Sequence, residues 1–480
     1  MDGRMACRTM EHVRTTDFTT GSIPKHLIVF AAPMFIGNLL QAAYNTVDSI
    51  WVGRFLGPEA LASVSVGFPI IFGLIALVMG LTMATTTLVS QYYGARRPDM
   101  VSAAISNGLT LLTVMGVVMS GLGYALRWPL LRILRAPGDI IGGAAAYLGV
   151  YTLGFAPTFV YNVASSILRG LGDSRSPLRF LTFATVMNII LDPIMIFGLG
   201  PVPRMEVAGA AWATVISQVF AAILALSYMI KQLKIGTRLR DLARLDWNLT
   251  RLTVRIGLPA GAQQTLVSLG MMVIMSTVNQ FGSVAVAGSG AGSRLEQFGH
   301  MPAFSVGLAV TALVGQNLGA GLQDRVSQAV RWALLLACSI TGAITLFVQA
   351  FPTLVLSLFT KDPEVLAAGT VYLRWISLGF VPFAAMFALT GALRGAGDTL
   401  PTFFITLGSL WLVRVPLVRA LARSPLGIEG VWIAMATGPF VGLALSYAYY
   451  RSGRWRHKVV MSRQSDMDAP GEVASMEDVL

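Results

Sequence analysis

The sequence predicts an all-α polytopic membrane protein with twelve transmembrane helices, arranged as two six-helix bundles related by an internal repeat. Its residues are 55% hydrophobic and only 12% charged, whereas about a quarter of the residues in soluble domains are charged. Apolar runs of about twenty residues, long enough to cross a bilayer, alternate with short polar or glycine- and proline-containing breaks. The second half of the chain also repeats motifs of the first half at a nearly constant spacing, which indicates a duplication.

Twelve apolar runs define the predicted spans. Those of the first half are 26–53, 62–89, 102–126, 142–166, 178–199 and 206–230. Those of the second half are 253–279, 285–316, 329–356, 368–392, 402–421 and 429–450. We divide the chain into a polar N-terminal tail at 1–21, an N-terminal bundle at 22–230, a basic linker at 231–252, a C-terminal bundle at 253–450 and a polar C-terminal tail at 451–480.

Two motif pairs show the repeat. LVSQYYGA at 88–95 matches LVGQNLGA at 313–320, and ILRGLGD at 167–173 matches ALRGAGD at 392–398. Both pairs are 225 residues apart. Each half holds an even number of spans, so the two bundles should share one membrane orientation and be related by an axis along the membrane normal. The acid that ends each copy of LRG-x-GD is expected to cap the helix that follows.

The net charge of +12 indicates topology rather than a nucleic-acid partner. Arginine and lysine concentrate after the even-numbered spans, and basic loops stay on the cytoplasmic side, so both termini are predicted to be cytoplasmic. The sequence has no GxxxxGK[ST] phosphate loop and no HExxH zinc motif, and its four histidines are scattered. We therefore expect no enzyme, no cofactor and no resident metal.

Two acids inside apolar spans are the candidates for ion coupling. Asp48 lies in the first span and Asp192 in the fifth, where an ionised carboxylate is costly and is by default a functional candidate. Gln41 precedes Asp48 by two helical turns and Asn188 precedes Asp192 by one, so each acid has an amide on its own face. Such pairs suit the reversible capture of a proton or a small cation. The alternative is that each acid only helps to pack helices.

Two further features of the spans allow more than one interpretation. Pro33 lies in the first span, where an interior proline removes a backbone hydrogen bond and bends the helix; it is either a moving part or a static kink. Arg294, Glu296 and His300 lie close together in the eighth span. They form either an internally satisfied ion cluster, which we favour, or a second coupling site.

The ordered set of motifs resembles the multidrug and toxic compound extrusion (MATE) family of transporters, over residues 22–452. Besides the repeated motifs, the set includes NIILDPIMIFGLG, VAGAAWATVISQ and WLVRVP, and the first of these is most similar to the DinF-type bacterial and archaeal branch. The resemblance implies two bundles that form a V around a central cavity, in a bacterial or archaeal plasma membrane. It also implies the export of organic, often cationic, compounds in exchange for protons or sodium ions.

Matching residues imply that the N-terminal bundle holds the polar chamber of that family. By this resemblance, Asp48 and Asp192 carry the coupling ion and Pro33 marks a bend in the first span. The residues that would orient the acids and contact ion or substrate are Gln41, Tyr147, Asn162, Asn188 and Thr214. The sodium-coupled branch adds acids in its seventh and tenth spans, but GAQQTLVSLG and FAAMFALTGA contain none. This departure argues against a sodium site of that type in the C-terminal bundle.

The resulting prediction is a monomeric antiporter in the lipid bilayer that exports small organic molecules, coupled to protons in preference to sodium. One alternative is a flippase for lipid-linked precursors on a related two-bundle scaffold. It would be expected to line its cavity with basic residues, whereas the N-terminal bundle carries acids. The other alternative is a membrane receptor or scaffold, which would not need two buried acids.

Overall fold

A computed structural model of the chain describes residues 16–134, 136–233 and 245–458. These residues form helices joined by short loops, with no strand among them. Within these ranges, ten helices are long and apolar enough to cross a membrane, and the number rises to twelve when each of two bent helix pairs is counted as one span. The predicted all-α polytopic architecture is confirmed.

The helices are numbered here in chain order. The N-terminal half contains α1 (Ile23–Phe55), α2 (Pro58–Gly94), α3 (Pro98–Ile133), α4 (Ile141–Leu153), α5 (Phe155–Gly170), α6 (Arg175–Phe197) and α7 (Glu206–Leu233). The α4–α5 pair forms the fourth span. Half of the predicted basic linker, residues 234–244, lies outside the described part of the chain. Its first three residues belong to α7, and its last six belong to the first helix of the C-terminal half.

The C-terminal half repeats this order. It contains α8 (Trp247–Val278), α9 (Ser283–Gly319), α10 (Gln323–Ala350), the short α11 (Pro352–Leu356), α12 (Pro363–Ser377), α13 (Phe380–Gly395), α14 (Leu400–Thr406), α15 (Val415–Ala422) and α16 (Gly427–Arg451). The α12–α13 pair forms the tenth span. A π-helical segment, Leu407–Arg414, joins α14 to α15.

The fourth and tenth spans bend at equivalent places. The axes of α4 and α5 differ by 45°, and those of α12 and α13 by 42°. Gly154 lies at the first bend and Gly379 at the second, and each precedes a proline, Pro157 or Pro382, by three residues. Proline has no N–H to donate to the carbonyl one turn earlier, so the helical hydrogen bonds are interrupted at both places. The repeat therefore sets the shape of these spans as well as their order.

The first span of each half packs partly in the other half. Leu27, near the start of α1, is buried in one hydrophobic core with residues of α9, α10 and α13. Leu252, near the start of α8, is buried in a core with residues of α2, α3 and α5. Pro33 and Pro259 lie just beyond these segments, and each stands inside a single uninterrupted helix. Thus α1 and α8 are the helices that the two bundles share.

The bundles approach each other closely on the face that carries both ends of the described chain, which we call the terminal face. A Cβ added to Gly94 of α2 would lie 1.9 Å from the main-chain oxygen of Gln316 in α9. A Cβ added to Gly319 of α9 would lie 2.0 Å from the main-chain oxygen of Gln91 in α2. These distances are far below van der Waals contact, so only glycine permits the two helices to cross here.

Two glutamines also join the bundles across the terminal face. Gln91 Nε2 donates to the main-chain oxygen of Gly395 at 2.8 Å. Its counterpart Gln316 donates from Nε2 to the main-chain oxygen of Gly170 at 3.0 Å. Gln316 Oε1 in turn accepts from the N–H of Phe18 at 3.0 Å. The contact therefore obeys the symmetry of the repeat and includes the residues that precede α1.

The repeated LRG-x-GD motifs close the fifth and thirteenth helices as expected. Asp173 Oδ1 accepts from the N–H groups of Arg175 and Ser176, both at 3.0 Å, which confirms the predicted cap of α6. The equivalent Asp398 instead accepts from the hydroxyl of Tyr449 in α16 at 2.6 Å, so within the described residues its hydrogen bonds do not include the predicted cap of α14. These acids are buried but hydrogen-bonded, which makes them structural.

Candidate functional site

Asp192 is fully buried in α6, together with the amide one turn before it. Neither Asp192 nor Asn188 has exposed surface. Asn188 Nδ2 donates to Asp192 Oδ1 at 3.2 Å, as the i, i+4 spacing predicts. Asp192 Oδ2 and Asn188 Oδ1 are buried without a hydrogen-bond partner. A buried polar atom left unpaired costs about 1–3 kcal/mol, so a proton or cation that reached this pair would be stabilised.

The second acid, Asp48 of α1, is half-buried, and its Oδ1 has no hydrogen-bond partner. One turn earlier, the hydroxyl of Tyr44 donates to Thr214 Oγ1 in α7 at 3.0 Å. Tyr44 and Tyr147 lie within electrostatic range of both acids, and the two acids lie within range of each other. We call this set the N-terminal site: Tyr44, Asp48, Tyr147, Asn188, Asp192 and Thr214.

Two of the predicted site amides make other contacts. Gln41 Nε2 donates to Asn45 Oδ1 at 3.4 Å within α1. Asn162 Nδ2 donates to the main-chain oxygen of Thr158 at 2.9 Å within α5. Both side chains are half-buried. The amide that the structure brings to an acid is Asn188.

Sequence reasoning missed three other polar groups of this bundle. Thr185 of α6 and Ser217 and Gln218 of α7 each have a buried oxygen without a hydrogen-bond partner. Thr185 precedes Asn188 by three residues and Asp192 by seven, which places all three on one face of α6. This spacing of polar residues along an apolar helix indicates Thr185 as a further site residue from the sequence. Because α6 and α7 pack against each other, these unpaired oxygens add polar groups to the interior of this bundle.

The N-terminal site offers oxygen atoms without a basic partner. In the described part of the chain, the ion pairs involve neither Asp48 nor Asp192. Burial disfavours a carboxylate that has no cation beside it, and a proton converts it from an acceptor to a donor and acceptor. Carboxylate, amide and hydroxyl oxygens also suit hard cations. No cluster of three or more His, Cys, Asp or Glu side chains suited to a metal ion occurs within the described ranges.

A second polar site lies in the C-terminal bundle. A cavity of about 220 Å³ is lined by Glu296 and His300 of α9, by Arg394 of α13 and by Arg414 of the π-helical segment, and we call it the C-terminal cavity. Glu296 Oε1 lies 4.0 Å from His300 Nδ1. Glu296 Oε2 accepts a hydrogen bond from the hydroxyl of Tyr372.

The sequence predicts Arg294 beside Glu296, but the arginines that line this cavity are Arg394 and Arg414. Arg294 is exposed on α9, because a separation of two residues places it on a different helix face from Glu296. Arg414 and Arg394 reach the cavity from other spans. The signal for Arg414 was present in the repeat: WLVRVP aligns with NIILDP, and Arg414 stands one position before the place of Asp192.

The chain is similar to a family model and to several multidrug resistance proteins. The MatE family model matches residues 33–194 and 259–418, one stretch in each bundle. The chain is 35% identical to the probable multidrug resistance protein YpnP of Bacillus subtilis, over 92% of this chain and 98% of that protein. It is 29% identical to the probable multidrug resistance protein NorM of Thermotoga maritima, over 92% and 95% of the respective chains.

A solved transporter structure is also similar to this chain. It shows the outward-facing conformation of a multidrug resistance MATE family transporter of the MOP superfamily, and it matches with a TM-score of 0.85 and 26% identity. The match covers 93% of this chain and 99% of that one. With the family model matched in both halves and the same two-bundle architecture, this chain belongs to the MatE family.

Proposed function

We propose that the chain is a secondary transporter that exports organic compounds in exchange for protons. The observation that carries the proposal is the buried Asp192–Asn188 pair, in which an oxygen of each side chain lacks a partner. A purely structural acid is expected to have its hydrogen bonds satisfied, as Asp173 does through two main-chain N–H groups and the hydroxyl of Tyr228. Asp192 does not meet that expectation, which favours a role in which a proton arrives and leaves.

The position of α1 supports coupling between the ion and the bundles. Asp48 lies in the part of α1 that Tyr44 ties to Thr214 of the N-terminal bundle. The start of the same helix is buried in the core of the C-terminal bundle. Protonation of Asp48 removes a charge and adds an O–H donor, so it acts on a helix that both bundles share. Such a change can bias the relative position of the bundles, as alternating access requires.

The relatives support an organic substrate and a non-enzymatic role, because YpnP and the Thermotoga protein are named as multidrug resistance proteins. Side chains such as Met and Phe repack around different molecules, and they suit a transporter of varied substrates. We propose that the protein works as a monomer in a bacterial plasma membrane with both termini in the cytoplasm. Sodium stays the alternative coupling ion, since the oxygens of the N-terminal site suit it chemically.

The test is dye efflux from proteoliposomes under an imposed pH gradient. Asp48→Asn and Asp192→Asn keep the side-chain size but remove the titratable group, so we expect each variant to abolish efflux of rhodamine 6G while inserting normally. Asp99→Asn changes an exposed acid and serves as the control. Full transport by both variants would refute the assignment. Efflux that follows a sodium gradient at constant pH would show that the coupling ion is sodium rather than the proton.

A flippase for lipid-linked precursors is the second candidate. It is favoured by one observation, the presence of Arg394 and Arg414 in the C-terminal cavity, because a phosphate head group needs basic partners. The measurement is translocation of a fluorescent lipid diphosphate across a vesicle bilayer. Translocation in vesicles that show no proton-driven dye efflux would favour the flippase over the antiporter.

A further inference from the structure

The C-terminal cavity carries more positive than negative charge. Arg394 and Arg414 line it with a single acid, Glu296, and a guanidinium keeps its charge in proteins. The Nε atom of each arginine is buried and has no hydrogen-bond partner. Arg394 Nη2 donates to Gln263 Oε1 at 3.3 Å, which is a neutral partner. Arg414 lies within electrostatic range of Glu296, but one acid cannot offset both arginines. A buried cation that is not offset is costly inside a membrane, so this cavity favours a ligand that brings negative charge.

An aromatic wall lines the same cavity. The ring of His300 stacks on Phe383 with centroids 4.0 Å apart, and Phe387 lies 4.7 Å from Phe383 and from Phe304. The Arg394 guanidinium lies over the Phe387 ring at 5.4 Å. Charge and apolar surface are therefore adjacent, as in a site for an amphipathic anion. Drug-sized pockets start at about 300 Å³, so this smaller cavity suits a head group or a small ring system.

The two repeats carry opposite charges in aligned motifs, one position apart. NIILDP carries Asp192 in the fifth span, and the aligned WLVRVP carries Arg414 in the eleventh. Arg414 ends the π-helical segment, and π-helical turns recur at functional sites because the additional residue changes the direction of a side chain. The exposed Arg419, five residues later on α15, belongs to an ordinary helical turn. The arginine in the cavity is thus placed by an irregular backbone.

We infer that the C-terminal cavity binds the negatively charged group of an organic anion between Arg394 and Arg414, with its ring or chain against Phe304, Phe383 and Phe387. The inference deepens the proposed function by adding organic anions and zwitterions to its substrates. It rests on that function for transport, but the binding step stands without it.

Binding is measured by calorimetry on the full chain in nanodiscs, with empty nanodiscs subtracted. The probes share one ring system and differ in charge: naphthalene-1-sulfonate and 1-naphthylmethylammonium. We expect Arg414→Gln to weaken sulfonate binding by about tenfold or more, because it removes the charge-assisted hydrogen bonds to the sulfonate. Arg414→Lys should lose less, and ammonium binding should not weaken. Arg419→Gln is the matched control and should bind like the unmodified protein.

A second variant keeps all charges and guards against a folding defect in Arg414→Gln. A Cβ on Gly438 would lie 2.8 Å from Cδ of Arg414, so Gly438→Ala should displace that side chain and also weaken sulfonate binding. Thermal unfolding of each variant shows whether it is folded. The inference is overturned if the unmodified protein does not bind the sulfonate, or if folded Arg414→Gln and Gly438→Ala bind it as tightly as the unmodified protein does.

Lipid composition shows where the anion comes from. If phosphatidylglycerol nanodiscs weaken sulfonate binding relative to phosphatidylcholine nanodiscs, an anionic lipid head group occupies the site; equal binding in both assigns it to a soluble anion. The dye experiment separates this inference from the proposed function. Sulfonate binding without proton-driven efflux would contradict only the proposed antiport. Proton-driven efflux without sulfonate binding would contradict only the proposed anion site.

Discussion

At the scale of single residues, hydrogen bonding distinguishes a structural acid from the two candidate coupling acids. Asp173 and Asp192 are both buried. Asp173 accepts hydrogen bonds at both carboxylate oxygens, whereas Asp192 Oδ2 has no partner. Asp48 resembles Asp192 in this respect. An unpaired buried oxygen is unfavourable in a membrane, and its persistence is understandable where an ion or a substrate comes and goes.

Tyr44 is predicted to transmit changes at Asp48 to α7. Tyr44→Phe removes the donor to Thr214 Oγ1 and should slow proton-driven efflux about fivefold, because one such hydrogen bond contributes about 1 kcal/mol. Thr214→Val should cause a similar loss, and the double variant should lose little more, since both changes remove one contact. Tyr447→Phe, at an exposed tyrosine of α16, is the control. If the losses of the two single variants add up in the double variant, the hydrogen bond between Tyr44 and Thr214 is not the cause of the slower efflux.

At the scale of helices, α1 and α8 occupy matching positions but differ in chemistry. Each starts in the core of the other half and contains a proline just beyond that segment. Only α1 carries an acid beyond its proline, Asp48. Pro33 cannot donate to the carbonyl of Val29, so α1 is weakest between its two packing environments. This difference assigns ion sensing to the N-terminal bundle, as an interpretation that mutants can test.

Pro33→Ala restores the missing N–H and should stiffen α1. We expect it to impair proton-driven efflux while leaving the binding of rhodamine 6G measurable, because the acids keep their places. Pro259→Ala makes the same change in α8 and should be milder, since no acid follows it there. Expression of both variants must be equal for the comparison. Equal losses, or a larger loss for Pro259→Ala, would contradict this division of labour between the bundles.

At the scale of the whole molecule, the bundles are closed against each other at the terminal face by contacts that obey the repeat. Gly94 and Gly319 let α2 and α9 cross without side chains between them. Gln91 and Gln316 each donate to a main-chain oxygen of the opposite bundle. Because every one of these contacts joins the two bundles, opening this face requires that all of them break together.

The glutamines are predicted to hold the terminal face closed. Gln91→Ala and Gln316→Ala should each speed amide hydrogen exchange about fivefold in residues 88–95 and 313–320, since each removes one hydrogen bond of about 1 kcal/mol. The repeat predicts similar effects from the two variants. Gln323→Ala, at an exposed glutamine of α10, is the control. Unchanged exchange in both segments would show that glycine packing alone holds this face.

The protein class, the number of spans and the duplication could be predicted from the amino-acid sequence alone. These properties depend on local features, because a membrane span must be a long apolar helix that satisfies its own backbone hydrogen bonds. The same reasoning selected Asp48 and Asp192 and paired Asp192 with Asn188, which needs only the geometry of one helix. Observed helices extend a few residues beyond several predicted spans, as α1 does at Ile23–Phe55, since hydropathy does not mark the polar turns at helix ends.

Which polar groups contact one another could be seen only in the folded protein. Gln41 turns to Asn45 rather than to Asp48, and Arg414 replaces Arg294 in the C-terminal cavity. The predicted polar tails also contribute Phe18 and Trp455 to the buried core, along with α9 and α10. Such contacts join residues from distant parts of the chain. They depend on how helices pack and cross, and that packing leaves no periodic signal in the local sequence.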